Sequence, residues 1–205
     1  KTAEIISNIT KHKFLIFFRN PEKGVALVKL ADSLSKKIED NTSLTAVHMI
    51  SSTGLQQMDM DSYEKESFSP TVTKANSLNR NIVSLFKISN DVSTDLTDIA
   101  NKGEYDLLLM NMEESIFEGS VLWRILGFTT QIINPEKLIN TVTGREKLIE
   151  NSFIDNSSRL ILAKAKIPVG ILIDKDFDIP NNVFIPIFSE KDDFLISYAQ
   201  KLIHN

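Results

Sequence analysis

Cysteine is absent from all 205 residues. That absence excludes a disulfide scaffold, a thiolate metal site and a thiol nucleophile together. It suits a reducing compartment, with the cytosol as the default expectation. Charge of one sign is also scarce: 23 Lys and Arg against 27 Asp and Glu leave a net charge of −4, mixed along the chain. There is no basic footprint for nucleic acid or for an anionic membrane surface, so neither is expected as a partner. No apolar run approaches the ~20 residues of a spanning helix, and the opening "KTAEIISNIT" lacks the layout of a signal peptide. The first residue is Lys1 rather than methionine, which reads as a piece of something longer. No phosphate loop, metal cluster or catalytic triad can be assembled from the residues present.

What is there is a 42% share of hydrophobic residues, enough to bury a core. The run "FLIFF" at 14–18 reads as a strand covered on both faces in a parallel sheet. Asn20 and Pro21 supply an N-cap and a first-turn proline. The helix they open places Leu27, Leu30, Ala31, Leu34 and Ile38 on one stripe. "LTAVHMI" at 44–50 is the next strand, and the polar stretch "SSTGLQQMDMDSYEKESFSP" predicts a loop and a weak helix. "IVSLFKIS" from residue 82 is a third strand. Asn90 or Asp91 then caps a helix carrying Val92, Leu96, Ile99 and Ala100, which Gly103 ends. "YDLLLMNM" at 105–112 is the most strand-like run in the chain. More than fifty residues that read as helices, including "SVLWRILGFTTQII" and "SSRLILAKAK", separate it from "PVGILID" at 168–174. Five strands alternating with helices predict a doubly wound parallel α/β sheet with right-handed crossovers.

The order of these elements resembles the universal stress protein fold, which is Rossmann-like. The closing phrase carries it best: an alanine-bearing helix with Ala163 and Ala165 runs into a Pro-Val strand at Pro168 and Val169. A second opening then follows, because "VFIPIFSEKDDFLISYAQKL" echoes "KFLIFFRNPEKGVALVKLADSLSKK", with Ala199 and Leu202 answering to Ala31 and Leu34. Tandem domains that open this way look like the cytoplasmic C-terminal region of bacterial cation:proton (Na+/H+) antiporters. The resemblance implies residues 1–12 as an N-terminal helix or linker from an upstream membrane region, and residues 13–175 as a stress-protein-like domain. Residues 176–205 become a linker and the opening strand and helix of a second, truncated repeat. Alternatively, residues 183–204 are an appendix docked on the first domain, since one strand and one helix cannot bury both faces alone.

The implied role is a cytosolic regulatory or accessory domain at the cytoplasmic face of the inner membrane, not itself an enzyme. Its partner would be the membrane transport domain of the same polypeptide. The alternative is a tandem universal stress protein that binds a nucleotide, and a third reading is a ligase or transferase of the same fold class. Many stress proteins hold ATP with an aspartate at the end of the first strand and a glycine-rich loop after the fourth. Here the first strand ends "FFRNP". "EESIFEGS" offers only Gly119 and Ser120 and sets Glu113, Glu114 and Glu118 where like charge repels phosphate. No cofactor is expected, ATP included.

A ligand in such a sheet belongs at the carboxyl ends of the strands where their order reverses, here between the first and fourth. That candidate cleft is lined by Arg19, Asn20, Asn111 and Met112, with Ser157 and Ser158 opening a later helix. Arg19 could grip an anion bidentately, although an arginine and caps that merely serve the loop are the favoured reading. Ser157 and Ser158 read first as helix caps. No metal site is expected: His12, His48 and His204 lack ligand spacing, and "MDMDSYEKE" lacks the glycine and final glutamate of a calcium loop. His48 reads as a satisfied core or strand-end residue. The stripe of Leu122, Trp123, Ile125 and Leu126 reads as core or a domain contact, and the Asn-x-Ser/Thr triplets at Asn8, Asn41 and Asn156 carry no meaning in cytosol. The strand at Val169–Ile173 is expected at a sheet edge, open to a homodimer.

Overall fold

The computed structural model describes residues 12–35, 42–52, 59–111, 155–174, 177, 183–184 and 192–204, and the backbone of 130–133. Six strands are described: β1 (His12–Phe18), β2 (Thr42–Ile50), β3 (Ile82–Ile88), β4 (Leu107–Asn111), β5 (Thr130–Ile133) and β6 (Val169–Leu172). The helices are α1 (Pro21–Leu34), α2 (Met60–Ser77), α3 (Val92–Lys102), α4 (Asn156–Lys164) and α5 (Phe194–His204). The sheet order is β3-β2-β1-β4-β6-β5, parallel throughout except that β5 runs antiparallel to β6.

Strand alternation divides the core. Phe14, Ile16 and Phe18 of β1 turn to the face that carries α1 and α2, joined by Leu44, Ala46, Leu107 and Leu109. Leu15 and Phe17 turn to the other face, with Val47 and Met49, and meet Leu96 and Ala100 of α3 and Ile161 and Leu162 of α4. Both faces of β1 are therefore covered, which is why its sequence is a continuous apolar run rather than an alternation.

The sequence readings of β1, β2, β3, β4 and β6 hold, as do the Asn20–Pro21 opening of α1 and the Asp91 cap and Gly103 end of α3. Ile38 and the Trp123 stripe lie outside the described residues, as do residues 1–11. Three expectations need correction. The weak helix is eighteen residues long, because Asp59 caps α2 and Ser67, Phe68, Thr71 and Ala75 bury a stripe against the body in spite of Pro70. The last four residues of "SVLWRILGFTTQII" are strand β5, not helix, because their backbone pairs with β6. Val169–Ile173 is consequently not at an edge, since Ile171 faces Met110 on one side and Gln131 on the other. A homodimer across this strand would first have to displace β5.

Of residues 183–204, the helical part docks. Tyr198 and Leu202 of α5 and Phe177 pack on the α1 side of the core, and Lys29 Nζ donates to the Phe177 carbonyl at 3.2 Å. Burial, and secondarily the charge of Asp106, push the Tyr198 phenol up. The run "FIPIF" lies outside the described residues beyond Phe184.

Candidate functional site

The order in which strands join the sheet reverses between β1 and β4. Phe17 pairs with Met110, so the exits of the two strands, Arg19 and Asn111, leave neighbouring strands on the same side of the sheet. Asn20 is committed to the helix behind it: its Oδ1 accepts from the Glu22 amide at 3.0 Å, the usual duty of an N-cap. Arg19 reaches across instead, and its Nη2 donates to Ser157 Oγ at 2.9 Å. Ser157 Oγ lies 2.8 Å from Ser93 Oγ on α3, so one hydroxyl ties β1, α3 and α4 together.

The N-cap of α4 is Asp155, not a serine. Its Oδ1 accepts from the Ser158 amide at 3.0 Å and its Oδ2 from Ser158 Oγ at 2.6 Å. Burial pushes the Asp155 carboxyl up, but the Ser158 hydrogen bonds and the Arg19 charge outweigh it and hold the group below the ordinary carboxylate value. The guanidinium of Arg19 is thus matched inside the protein by a hydroxyl and an ionised carboxylate. Asn111 differs: both polar atoms of its side chain are buried and have no hydrogen-bond partner among the described residues. Met112 lies outside the described residues.

The structure therefore brings together Arg19, Ser157 and Ser158, and commits Asn20 to α1. Sequence reasoning missed Asp155 and Ser93. The first carries a signal, since an aspartate three residues before a serine at a helix start is a capping pattern; the second has none, because Ser93 and Ser157 are 64 positions apart.

No protein-family model matches the sequence, and no curated protein matches it significantly. Among solved structures, a universal stress protein from Archaeoglobus fulgidus is similar with a TM-score of 0.49 at 13% identity, over 78% of this chain and 93% of that one. A second, a hypothetical protein, is similar with a TM-score of 0.42 at 14% identity, over 80% of this chain and 98% of that one. The fold is a doubly wound α/β sheet whose parallel strands run in the order β3-β2-β1-β4-β6. Its order of five parallel strands, with β1 between β2 and β4, is the one that puts the crevice at Arg19 and Asn111.

The remaining candidates are structural where they are described. Asp59 of "MDMDSYEKE" caps α2, its carboxylate held low by the hydroxyl and amide of Ser62. No group of three or more His, Asp or Glu stands together among the described residues in a way that could hold a metal. His12 Nδ1 is 3.8 Å from Asp106 Oδ2 at the start of β1. His48 is wholly buried near the end of β2, and both ring nitrogens have partners.

Proposed function

We propose that this chain is a cytosolic accessory domain of a cation:proton (Na+/H+) antiporter, regulatory or structural in its work and without chemistry of its own. Its partner on this reading is the membrane transport domain of the same polypeptide, at the cytoplasmic face of the inner membrane. The observation that carries the non-catalytic part is the Arg19–Ser157 hydrogen bond beside the Asp155 carboxylate. A guanidinium poised for a phosphate would face an open anion site, whereas this one donates to Ser157 and lies within electrostatic reach of the Asp155 carboxylate, which repels phosphate. Transport itself needs carboxylates at membrane depth, and no helix among the described residues is long and apolar enough to cross a membrane. The antiporter context is drawn from the sequence resemblance.

The test is to delete residues 13–204 from the parent polypeptide and follow cation-driven proton exchange in everted vesicles. Exchange that persists with an altered set point or rate supports an accessory role; a parent frame that encodes no membrane-spanning region would refute it. A second reading, nucleotide binding, has one observation in its favour. The amide of Asn111, without a partner among the described residues, stands at the crevice where a bound molecule could satisfy it.

A further inference from the structure

His48 is buried at 0% exposure in a box of rings contributed by three elements. Phe18 of β1 stacks on it at 5.4 Å, Phe68 of α2 meets it edge-on at 6.2 Å, and Phe86 of β3 lies at 6.0 Å. Its Nδ1 is 3.0 Å from the Phe18 carbonyl, which can only accept, so the proton of the neutral ring is on Nδ1. Nε2 is then a bare acceptor, and the Tyr63 hydroxyl 3.2 Å away donates to it.

Tyr63 stands in the first turns of α2, where Asp61, Ser62, Glu64, Lys65 and Glu66 are all exposed. Among the described residues of that segment, Met60 and Tyr63 are the ones partly buried before the buried Ser67 and Phe68. Pro70 lies inside the same helix. It has no N–H to offer the Glu66 carbonyl, so the ladder already lacks a rung at the point where these turns join the packed half. The exposed turns are therefore held by the latch at Tyr63 and joined to the packed half where the Glu66 carbonyl lacks its rung.

We propose that the His48–Tyr63 hydrogen bond is a proton-operated latch that holds Met60–Glu66 against the sheet, and that protonation of His48 Nε2 releases this segment up to the buried Ser67. An imidazolium cannot accept from Tyr63, and in this box it loses its water without gaining a counter-charge. Among the described residues, Tyr63 from α2 is the titratable group in contact with the ring; Phe18 from β1, Phe68 from α2 and Phe86 from β3 are neutral, and no charged side chain contributes to its shift. Burial is the largest influence and pushes the ring below the ordinary histidine value, against the smaller upward effect of the Phe18 carbonyl. A group depressed in the closed state favours closure above its ordinary value and loses that contribution as pH falls through its depressed value. The latch is thus closed at neutral pH and opens in acid. Because Phe18 immediately precedes Arg19, the same ring also braces the strand end that carries the crevice. The inference stands independently of the antiporter reading.

The experiment is hydrogen exchange of the whole 205-residue chain, corrected for intrinsic rates, read at the amides of Tyr63 to Ser67 between pH 7.5 and 5. Opening is expected to rise by up to about tenfold per pH unit below the ordinary histidine value, while the α3 amides stay unchanged. His48→Phe should abolish the pH dependence, and Tyr63→Phe should open the segment by roughly fivefold already at pH 7.5. In wild type, the imidazole titration followed by nitrogen NMR should share its midpoint with the opening, a readout that stands if His48→Phe fails to fold. A flat wild-type profile, an unchanged slope in His48→Phe, a Tyr63→Phe segment as closed as wild type, or separate midpoints would each overturn the latch.

Discussion

At the scale of single residues, a close approach decides the choice of glycine at Gly24, where α1 crosses α2 over the end of β1. A Cβ added there would stand 2.3 Å from Thr71 Oγ1 and 2.9 Å from Phe18 Cδ1. Alanine gains about 1 kcal/mol as a helix former, but forcing a methyl into a packed contact costs about 1–3 kcal/mol. Thr71 is β-branched and fully buried, and Phe18 is stacked on His48, so neither yields readily. Gly24→Ala is expected to lower the stability measured by urea unfolding by about 1 kcal/mol; an unchanged or raised midpoint would mean that Thr71 moves aside. Asn111 predicts the opposite sign. Its buried amide has no partner among the described residues, and an unsatisfied buried polar group costs about 1–3 kcal/mol. Asn111→Leu should therefore raise stability by about 1 kcal/mol, and a loss would show that the amide is bonded in the folded chain. Residues of this kind are where sequence reasoning ran short. Arg19 and Asn20 were legible because they follow a strand and open a helix, whereas the Ser93–Ser157–Arg19 tie depends on side chains distant in sequence that only the fold brings together.

At the scale of elements, legibility followed the strength of local signals. Strands β1, β2 and β4 are apolar runs that no other element could use, and α1 and α3 carry both caps and a stripe. The sequence of α2 is polar and contains Pro70, and its helix is held by tertiary contacts: a buried Phe68–Thr71–Ala75 stripe and the Tyr63–His48 bond. Such contacts override propensity. Strand β5 was hidden for a related reason: four residues ending an apolar stretch have no period of their own, and only pairing with β6 defines them. That pairing changes what a proline should do. At an edge, Ile171→Pro would cost one amide and leave the sheet folded. Between β4 and β5 it disrupts a strand paired on both sides, so a loss of about 3 kcal/mol or more is expected. Circular dichroism during urea unfolding would record this, and a variant with nearly normal stability would return β6 to the edge.

At the scale of the whole molecule, the two-sided core and the position of β1 at its centre were readable from the alternation of strands and helices, because right-handed crossovers leave few arrangements. The same topology fixes where a ligand would bind, at the exits of β1 and β4, without saying whether one does. There the residues point away from nucleotide chemistry: Arg19 is engaged by Ser157, Asp155 stays ionised beside it, and "FFRNP" ends β1 without an aspartate. On the proposed accessory reading, a crevice whose guanidinium is already engaged has no use for ATP. Titration calorimetry of the 205-residue chain with magnesium and ATP tests this most directly. The account predicts no binding tighter than roughly millimolar, about −4 kcal/mol; micromolar affinity would contradict it and make the chain a nucleotide-binding domain.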